Sequence, residues 1–306
     1  MSSSSAPVNI RIGPSGWNFP QWDGLVYPSE VGRDLHPLEF LAERFDVVEV
    51  PTTFSHFLQP QVTRLWRRVT SHNPDFRFTA KLHRKFVYDR QLEPSAVSQY
   101  NQALDPLLEE GKLGCVLLQF PTAFRFTSEN RKFLIELRRA FSNFPLVAEL
   151  RHRSWANQEG LGTLMDYHIG YCNVDQPETV RSAPPSAHLT WRIGYAKLHG
   201  RSCGMAFDRD EEGSERFSGN DYLYGQEELA VWVQRIQHFS QCAAETYVIF
   251  NNDAGGKSVV NALQMQALMG SKYASVPKTL ARTYRNTWAG LSQQELFPAP
   301  GRLNAA

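Results

Sequence analysis

Apolar residues along this chain alternate between two periodicities. Short aliphatic or β-branched runs recur as VNIRIG from residue 8, DVVEV from 46, FRFTAKL from 76, GCVLLQF from 114, LVAELR from 146, IGYCNVD from 169, GYAKLHG from 194 and TYVIFNN from 246. Each is short, rich in strand formers and flanked by turn residues, so the pattern predicts about eight strands. Between them the apolar positions change to helical spacing: Val62, Leu65, Trp66 and Val69; Phe133, Leu134, Leu137 and Phe141; Leu229, Trp232, Val233 and Ile236. Each set covers one face of a helix. Pro37, Pro60 and Pro94 stand where first helical turns begin, a position that tolerates a missing N–H. Strands alternating with helices pair in parallel, and about eight such units close into a single-domain (β/α)₈ TIM barrel. The sixth unit is irregular. Between Asp175 and Gly194 the sequence is Pro-rich with no helical face, which predicts an extended segment in place of a helix. The domain boundaries follow: a flexible tail over 1–7, the barrel over 8–290 and a C-terminal tail over 291–306.

Strand alternation then assigns sides. In the fifth strand Leu146, Ala148 and Leu150 share one parity and face the helices, which turns Val147, Glu149 and Arg151 into the barrel. The same test sends Arg11, Ser15, Val47, Glu49, Lys81, His83, Gln119, Asn173, Asp175, Lys197, His199 and Asn251 inward. In nearly every strand the polar inward residue comes last, at the carboxyl-terminal mouth where barrel enzymes build their sites. Mutually satisfied ion pairs, such as Glu49 with Lys81 or Glu149 with Lys197, are the purely structural alternative.

Composition adds limits. Of 306 residues, 42% are apolar, enough for a large core. Thirty-two basic side chains against thirty-one acidic ones leave a net charge of +1, so an anionic partner must be held by a local cluster. Cys115, Cys172, Cys203 and Cys242 are widely spaced, which fits reduced cytoplasmic thiols better than a disulfide framework or a zinc site. No apolar run approaches the roughly 18 residues of a membrane span, and the Ser-rich start lacks the features of a signal peptide.

The segments RIGPSGWNFPQWDGLVYP, LAERFDVVEVPTTF, FRFTAKLHR, GKLGCVLLQFP, ELRHRSW, KLHGR, DYLYGQEEL and VIFNNDAGGKSVVNALQ follow one another in an order that resembles the YecE-like family (domain of unknown function 72) over about residues 9 to 270. The resemblance implies a TIM barrel and a family without an established reaction. Positions that match the family at the mouth are Ser15, Gly16, Trp17, Glu49, Thr53, Lys81, Gln119, Glu149, Arg151, His152, Trp155, His199, Gly200, Arg201, Tyr222, Tyr224, Asn251 and Asn252. The chain departs from it after the second strand, where Pro51, Thr52, Thr53, Phe54 and Ser55 replace the usual Asn-Ser-Thr-Phe-Tyr, and at Leu150 and Arg153.

Three chemistries fit the mouth. In the first, an enzyme of hydrolase or lyase type acts on a phosphate-bearing or sugar-like anion, in nucleic-acid metabolism or elsewhere. Glu49, Glu149, Lys197 and His199 are its acid/base groups, while Lys81, Arg84, Arg151 and Arg201 hold the anion. Ser15, Trp17, Gln119, His152, Trp155, Asp175, Tyr222, Tyr224, Asn251 and Asn252 line the substrate. In the second, Glu49, Glu149, Asp175 and His199 hold a divalent metal; neighbouring cations compete with it and no HxH or HExxH spacing supports it, so no cofactor is expected. In the third, Trp17, Trp22, Phe54, Trp155, Tyr222 and Tyr224 stack on single-stranded nucleic acid or a flipped base without turnover. The long loop after the seventh strand is the expected lid, with an irregular acidic tip at DRDEEGSER. Gly255 and Gly256 lead into a helix at Lys257 whose free N–H groups suit a phosphate. In the tail, Gln293, Leu296 and Phe297 form a Q-x-x-L-F pattern resembling the peptides that dock into the bacterial sliding clamp; the alternative is that Leu296 and Phe297 cap the barrel.

Overall fold

The computed structural model describes residues 10–28, 36–202, 207–209, 215–217, 221–270 and 276–288. The strands in chain order are β1 Ile10–Pro14, β2 Val47–Val50, β3 Arg77–Lys81, β4 Leu113–Gln119, β5 Leu146–Glu149, β6 Ile169–Asp175, β7 Ile193–Leu198, β8 Phe207–Arg209, β9 Glu215–Phe217 and β10 Glu245–Phe250. Eight of them make one sheet in the order β1-β10-β7-β6-β5-β4-β3-β2, with every pairing parallel. The two ends of that order meet in a parallel bridge from Ser15 to Glu49, with Gly16 N donating to Glu49 O at 2.9 Å, and the sheet becomes a barrel. Gly13 permits the approach: a Cβ there would run into the backbone carbonyl of Val47.

The helices are α1 Pro37–Ala42, α2 Pro60–Val69, α3 Arg84–Val87, α4 Pro94–Glu109, α5 Ser128–Ala140, α6 Gln158–Asp166, α7 Gln226–Ser240, α8 Lys257–Leu268 and α9 Lys278–Thr283. Pro37, Pro60 and Pro94 open α1, α2 and α4, as the sequence predicts. Side-chain caps fix other starts: Thr127 accepts from Asn130 N ahead of α5, and Asn157 from Gly160 N ahead of α6. The apolar faces of α5 and α7 bury Phe133, Leu134 and Leu137, and Leu229, Trp232 and Ile236, while Leu65 of α2 is left 41% exposed. No helix joins β6 to β7, in agreement with the extended segment expected there.

Two apolar layers result. The larger lies between barrel and helices and takes Leu146, Ala148 and Leu150 from β5 and its exit; the smaller fills the barrel with Val47, Cys115, Leu117, Val147, Cys172, Val174, Tyr195, Tyr247 and Ile249. At the amino-terminal end Arg11 is buried, donating from Nε to Asp75 O at 2.9 Å and lying 3.5 Å from Glu245. At this end Arg11 thus serves a structural contact.

The interior list corrects one assignment of side. Cys172 and Val174, beside Tyr195 and Lys197 in register, face the barrel, so Asn173 and Asp175 face outward. The missing sixth helix explains it. Asn173 donates to the carbonyls of His188 (2.9 Å) and Tyr195 (3.1 Å) and accepts from Ser186 Oγ and His188 N (both 2.8 Å). One amide therefore anchors the extended segment that stands where a helix would have covered an apolar side chain. A second correction concerns the expected irregular loop tip: β8 and β9 pair antiparallel, Phe207 with Phe217 and Arg209 with Glu215. The clamp-like residues Gln293, Leu296 and Phe297, and the tail over 1–7, lie outside the described residues. Among the described residues no helix is long and apolar enough to cross a membrane.

Candidate active site at the barrel mouth

Inward parity at the ends of β2, β5 and β7 brings Glu49, Glu149 and Lys197 together, each buried. Lys197 Nζ lies 2.8 Å from Glu49 Oε1 and 3.3 Å from Glu149 Oε2, so one ammonium bridges two carboxylates. Burial alone would lower the Lys197 pKa, but Glu149 and Glu49 outweigh it and hold the amine above its ordinary value. The carboxylates respond in kind. Burial would raise both, yet Lys197 and Lys81 bring Glu49 below its usual range, and Lys197, Arg151 and His199 bring Glu149 well below it.

Further partners complete each carboxylate. Glu49 Oε1 also accepts from Ser15 Oγ at 2.8 Å, and its Oε2 accepts from Tyr195 OH at 2.9 Å. Glu149 Oε1 accepts from Arg151 Nε at 2.7 Å and lies 3.0 Å from His199 Nε2, while Asn251 Nδ2 sits 3.1 Å from His199 Nδ1. These contacts are met by a ring that carries its proton on Nε2, donates to Glu149 and accepts from Asn251. Burial, the largest influence, brings the His199 pKa down to about 4, so the ring is neutral at neutral pH.

Lys81 stands at the rim. Its backbone is fixed on both sides, since its N donates to Thr53 Oγ1 at 2.9 Å and its O accepts from Tyr100 OH at 2.7 Å. The Nζ lies 3.6 Å from Glu49 Oε1 and 6.0 Å from the centre of the Phe54 ring, with 12% of the side chain exposed. Burial and then the Lys197 charge lower its pKa to about 8. Gln119, the register neighbour of Glu149, shares the inward parity of Cys115 and Leu117, and its buried Oε1 accepts no hydrogen bond among the described residues. Arg84, partly buried at the first position of α3, joins no ion pair among the described residues.

Other predicted site residues gather elsewhere. Asp175 accepts from Arg201 Nε at 2.8 Å and Nη2 at 2.6 Å and from Trp232 Nε1 of α7. Arg201 Nη1 and Tyr222 OH both donate to Glu228 Oε1, at 2.9 and 2.7 Å, and Gly200 N donates to Tyr224 OH at 2.8 Å. This second network lies outside the β6–β7 wall and ties the exit of β7 to the start of α7. Asn252 belongs to the scaffold, donating to Tyr222 O at 2.7 Å and to Asn261 at 2.8 Å. Trp17 packs edge-on against Trp66 at 5.1 Å, and Trp155 is fully buried on Phe124 at 5.4 Å. His152 caps the turn that carries Trp155 by accepting from Ser154 N. Aromatic residues near the mouth thus build loop cores. Gly255 and Gly256, both with positive φ, pack closely, and a Cβ on Gly256 would come 2.7 Å from Val26.

Tyr195 and Thr79 went unread. Tyr195 has the inward parity of Lys197 one step deeper, and Thr79 Oγ1 is 3.2 Å from its hydroxyl. Carrying the alternation one layer below the polar rim would have found both. Among the described residues no three His, Cys, Asp or Glu side chains are grouped to hold a metal; Asp175 is separated from Glu49 and Glu149 by the β6 wall.

Relatives place this geometry in a group of proteins. A UPF0759 protein of Bacillus subtilis, YunF, is 24% identical over 279 residues, spanning 87% of this chain and 97% of the relative. The crystal structure of a DUF72 family protein from Enterococcus faecalis superposes with a TM-score of 0.74 at 25% identity, covering 88% of this chain and 98% of the other. A second, from Thermotoga maritima, gives 0.72 at 29% identity, covering 86% and 100%. The model of the family described as "Protein of unknown function DUF72" matches residues 11–285, and the chain belongs to that family.

Proposed function

We propose that the protein is an acid/base enzyme, of hydrolase or lyase type, acting on a small phosphate-bearing, sugar-like substrate at the barrel mouth. One observation carries the reading. Among the described residues Lys81, Lys197 and Arg151 stand around the carboxylates Glu49 and Glu149 while His199 is neutral, so cationic donors gather in a nearly buried mouth. Cationic donors gathered where solvent screening is weak suit a bound anion. The unmatched Gln119 Oε1 complements it, because a buried acceptor is satisfied by a substrate hydroxyl.

Each group then has a task. Arg151 holds the anion, and Arg84 and the ammonium form of Lys81 add to the field at the entrance. Glu149 orients the His199 ring through Nε2, leaving Nδ1 as the basic atom once Asn251 exchanges its hydrogen bond for substrate. Lys197 keeps Glu49 and Glu149 ionised. Calorimetric titration with inorganic phosphate and with ribose 5-phosphate tests the assignment. The sugar phosphate should bind more tightly than phosphate, and Arg151→Ala or Lys81→Met, checked for folding by thermal melting, should weaken it about tenfold or more. Equal affinities in wild type and both folded variants would reject the site.

A further inference from the structure

The two mouth lysines differ in a way that anion binding does not explain. Lys197 has two carboxylates within 3.3 Å and no exposed surface. Lys81 competes for Glu49 Oε1, an atom already engaged by Ser15 Oγ and Lys197 Nζ at 2.8 Å each, and is held off at 3.6 Å. Among the described residues its Nζ therefore has an ion-pair neighbour but no hydrogen-bond acceptor. The backbone is clamped by Thr53 and Tyr100, and 12% of the side chain is exposed. A desolvated amine beside a second ammonium is the arrangement that makes a lysine nucleophilic. With a pKa of about 8, roughly one Lys81 in ten is a free amine at pH 7, against fewer than one in a thousand for an ordinary lysine.

We propose that Lys81 forms an imine with an aldehyde or ketone that also carries a phosphate group. The choice of a phosphate-bearing carbonyl rests on the anion-site reading; the nucleophile itself does not. The neutral Nζ attacks the carbonyl carbon, a C–N bond forms, and the C=O π pair moves to oxygen, which takes a proton to give a carbinolamine. Nitrogen then releases a proton, with Glu49 Oε1 at 3.6 Å in reach to receive it. The hydroxyl takes a proton and leaves as water while the nitrogen lone pair closes the C=N bond. Amine, carbonyl and one proton taken from solvent become the protonated imine and water, with no change of oxidation state. The resulting electron sink would allow bond cleavage or proton transfer next to the former carbonyl carbon, which specifies the lyase branch of the proposed activity.

Reductive trapping tests it on the full chain. The protein is incubated with dihydroxyacetone phosphate or uncharged dihydroxyacetone, reduced with sodium borohydride, and mapped by peptide mass spectrometry. Lys81 should be modified at least about tenfold faster than exposed Lys132 and Lys278, with a rate midpoint near pH 8. The phosphate ester should be preferred, and inorganic phosphate should compete. Lys81→Arg, verified as folded, should lose the Lys81 adduct while surface labelling continues. Labelling of Lys81 no faster than of Lys132 and Lys278 overturns the imine, and phosphate binding seen alongside that result leaves the anion site standing. Fast Lys81 labelling at the same rate with both probes upholds the nucleophile and removes the anion preference instead.

Discussion

A buried histidine stays neutral only if burial costs its charged form more than its neighbours return. At His199 the nearby Glu149 favours the imidazolium, yet burial dominates and the pKa falls to about 4 from 6.5. The consequence for stability has a definite sign. Between these two values the unfolded chain binds a proton that the folded chain does not, so folding stability from this group is complete above about pH 6.5 and declines as pH falls toward 4. Other buried histidines contribute in the same direction, so the comparison must isolate this ring. His199→Asn removes it without a bulkier replacement. The stability advantage of wild type over the variant in urea should shrink by about 2–3 kcal/mol between about pH 7.5 and pH 4.5. An advantage independent of pH would show that the folded ring titrates as it does in the unfolded chain, and one that grew as pH fell would show that the fold favours the imidazolium. Glu49 and Glu149, both held below their ordinary range, lose their contribution only at still lower pH and do not obscure this window.

Among the elements, strand alternation explains both what the sequence revealed and what it hid. Glu49, Lys81, Gln119, Glu149 and Lys197 were legible because each follows apolar residues whose parity is fixed by a helix on the outside. Asn173 and Asp175 stand on the outer side because β6 meets an extended segment and the Arg201 side chain there, so alternation alone does not separate a polar interior from a polar exterior in this strand. Trp155 and Tyr224 misled for a related reason: near the mouth a large aromatic ring serves loop packing as readily as ligand stacking, and no local pattern separates the two uses. Barrel closure shows the same dependence on partners far away in sequence. Nothing in the local sequence of β1 reveals that the Gly13 Cα lies against the Val47 carbonyl. Gly13→Ala should therefore destabilise the protein by about 1–3 kcal/mol, through overpacking against backbone that has no rotamer to change. Denaturant midpoints measure it. Because Ser15 and Glu49 bridge at this seam, the same variant should bind phosphate more weakly. A variant as stable as wild type would mean that the seam is not held as closely as described.

For the whole molecule, the balance of 32 basic and 31 acidic residues was legible at once and bears on which anions can be recognised. A polyanion draws its affinity from many phosphates spread over a basic surface, and log K falls by about 0.7–0.9 per decade of salt for each phosphate neutralised. This chain has a net charge of only +1, and the cations of its mouth are buried rather than spread over a face. A small anion that enters the barrel mouth meets those charges where screening is weak. The two kinds of ligand should therefore separate in a salt titration. Ribose 5-phosphate affinity should change less than about tenfold between about 50 and 200 mM sodium chloride. A thymidine oligonucleotide should show no saturable binding at the upper end of that range, because too few exposed cations meet its backbone. Tight oligonucleotide binding with a log–log slope steeper than about −3, together with an Arg151→Ala variant that binds it equally well, would move recognition from the mouth to the outer surface. In that event the buried cations of the mouth would be a feature of the scaffold, and the residues to map would be the surface arginines, beginning with Arg64, Arg68 and Arg139.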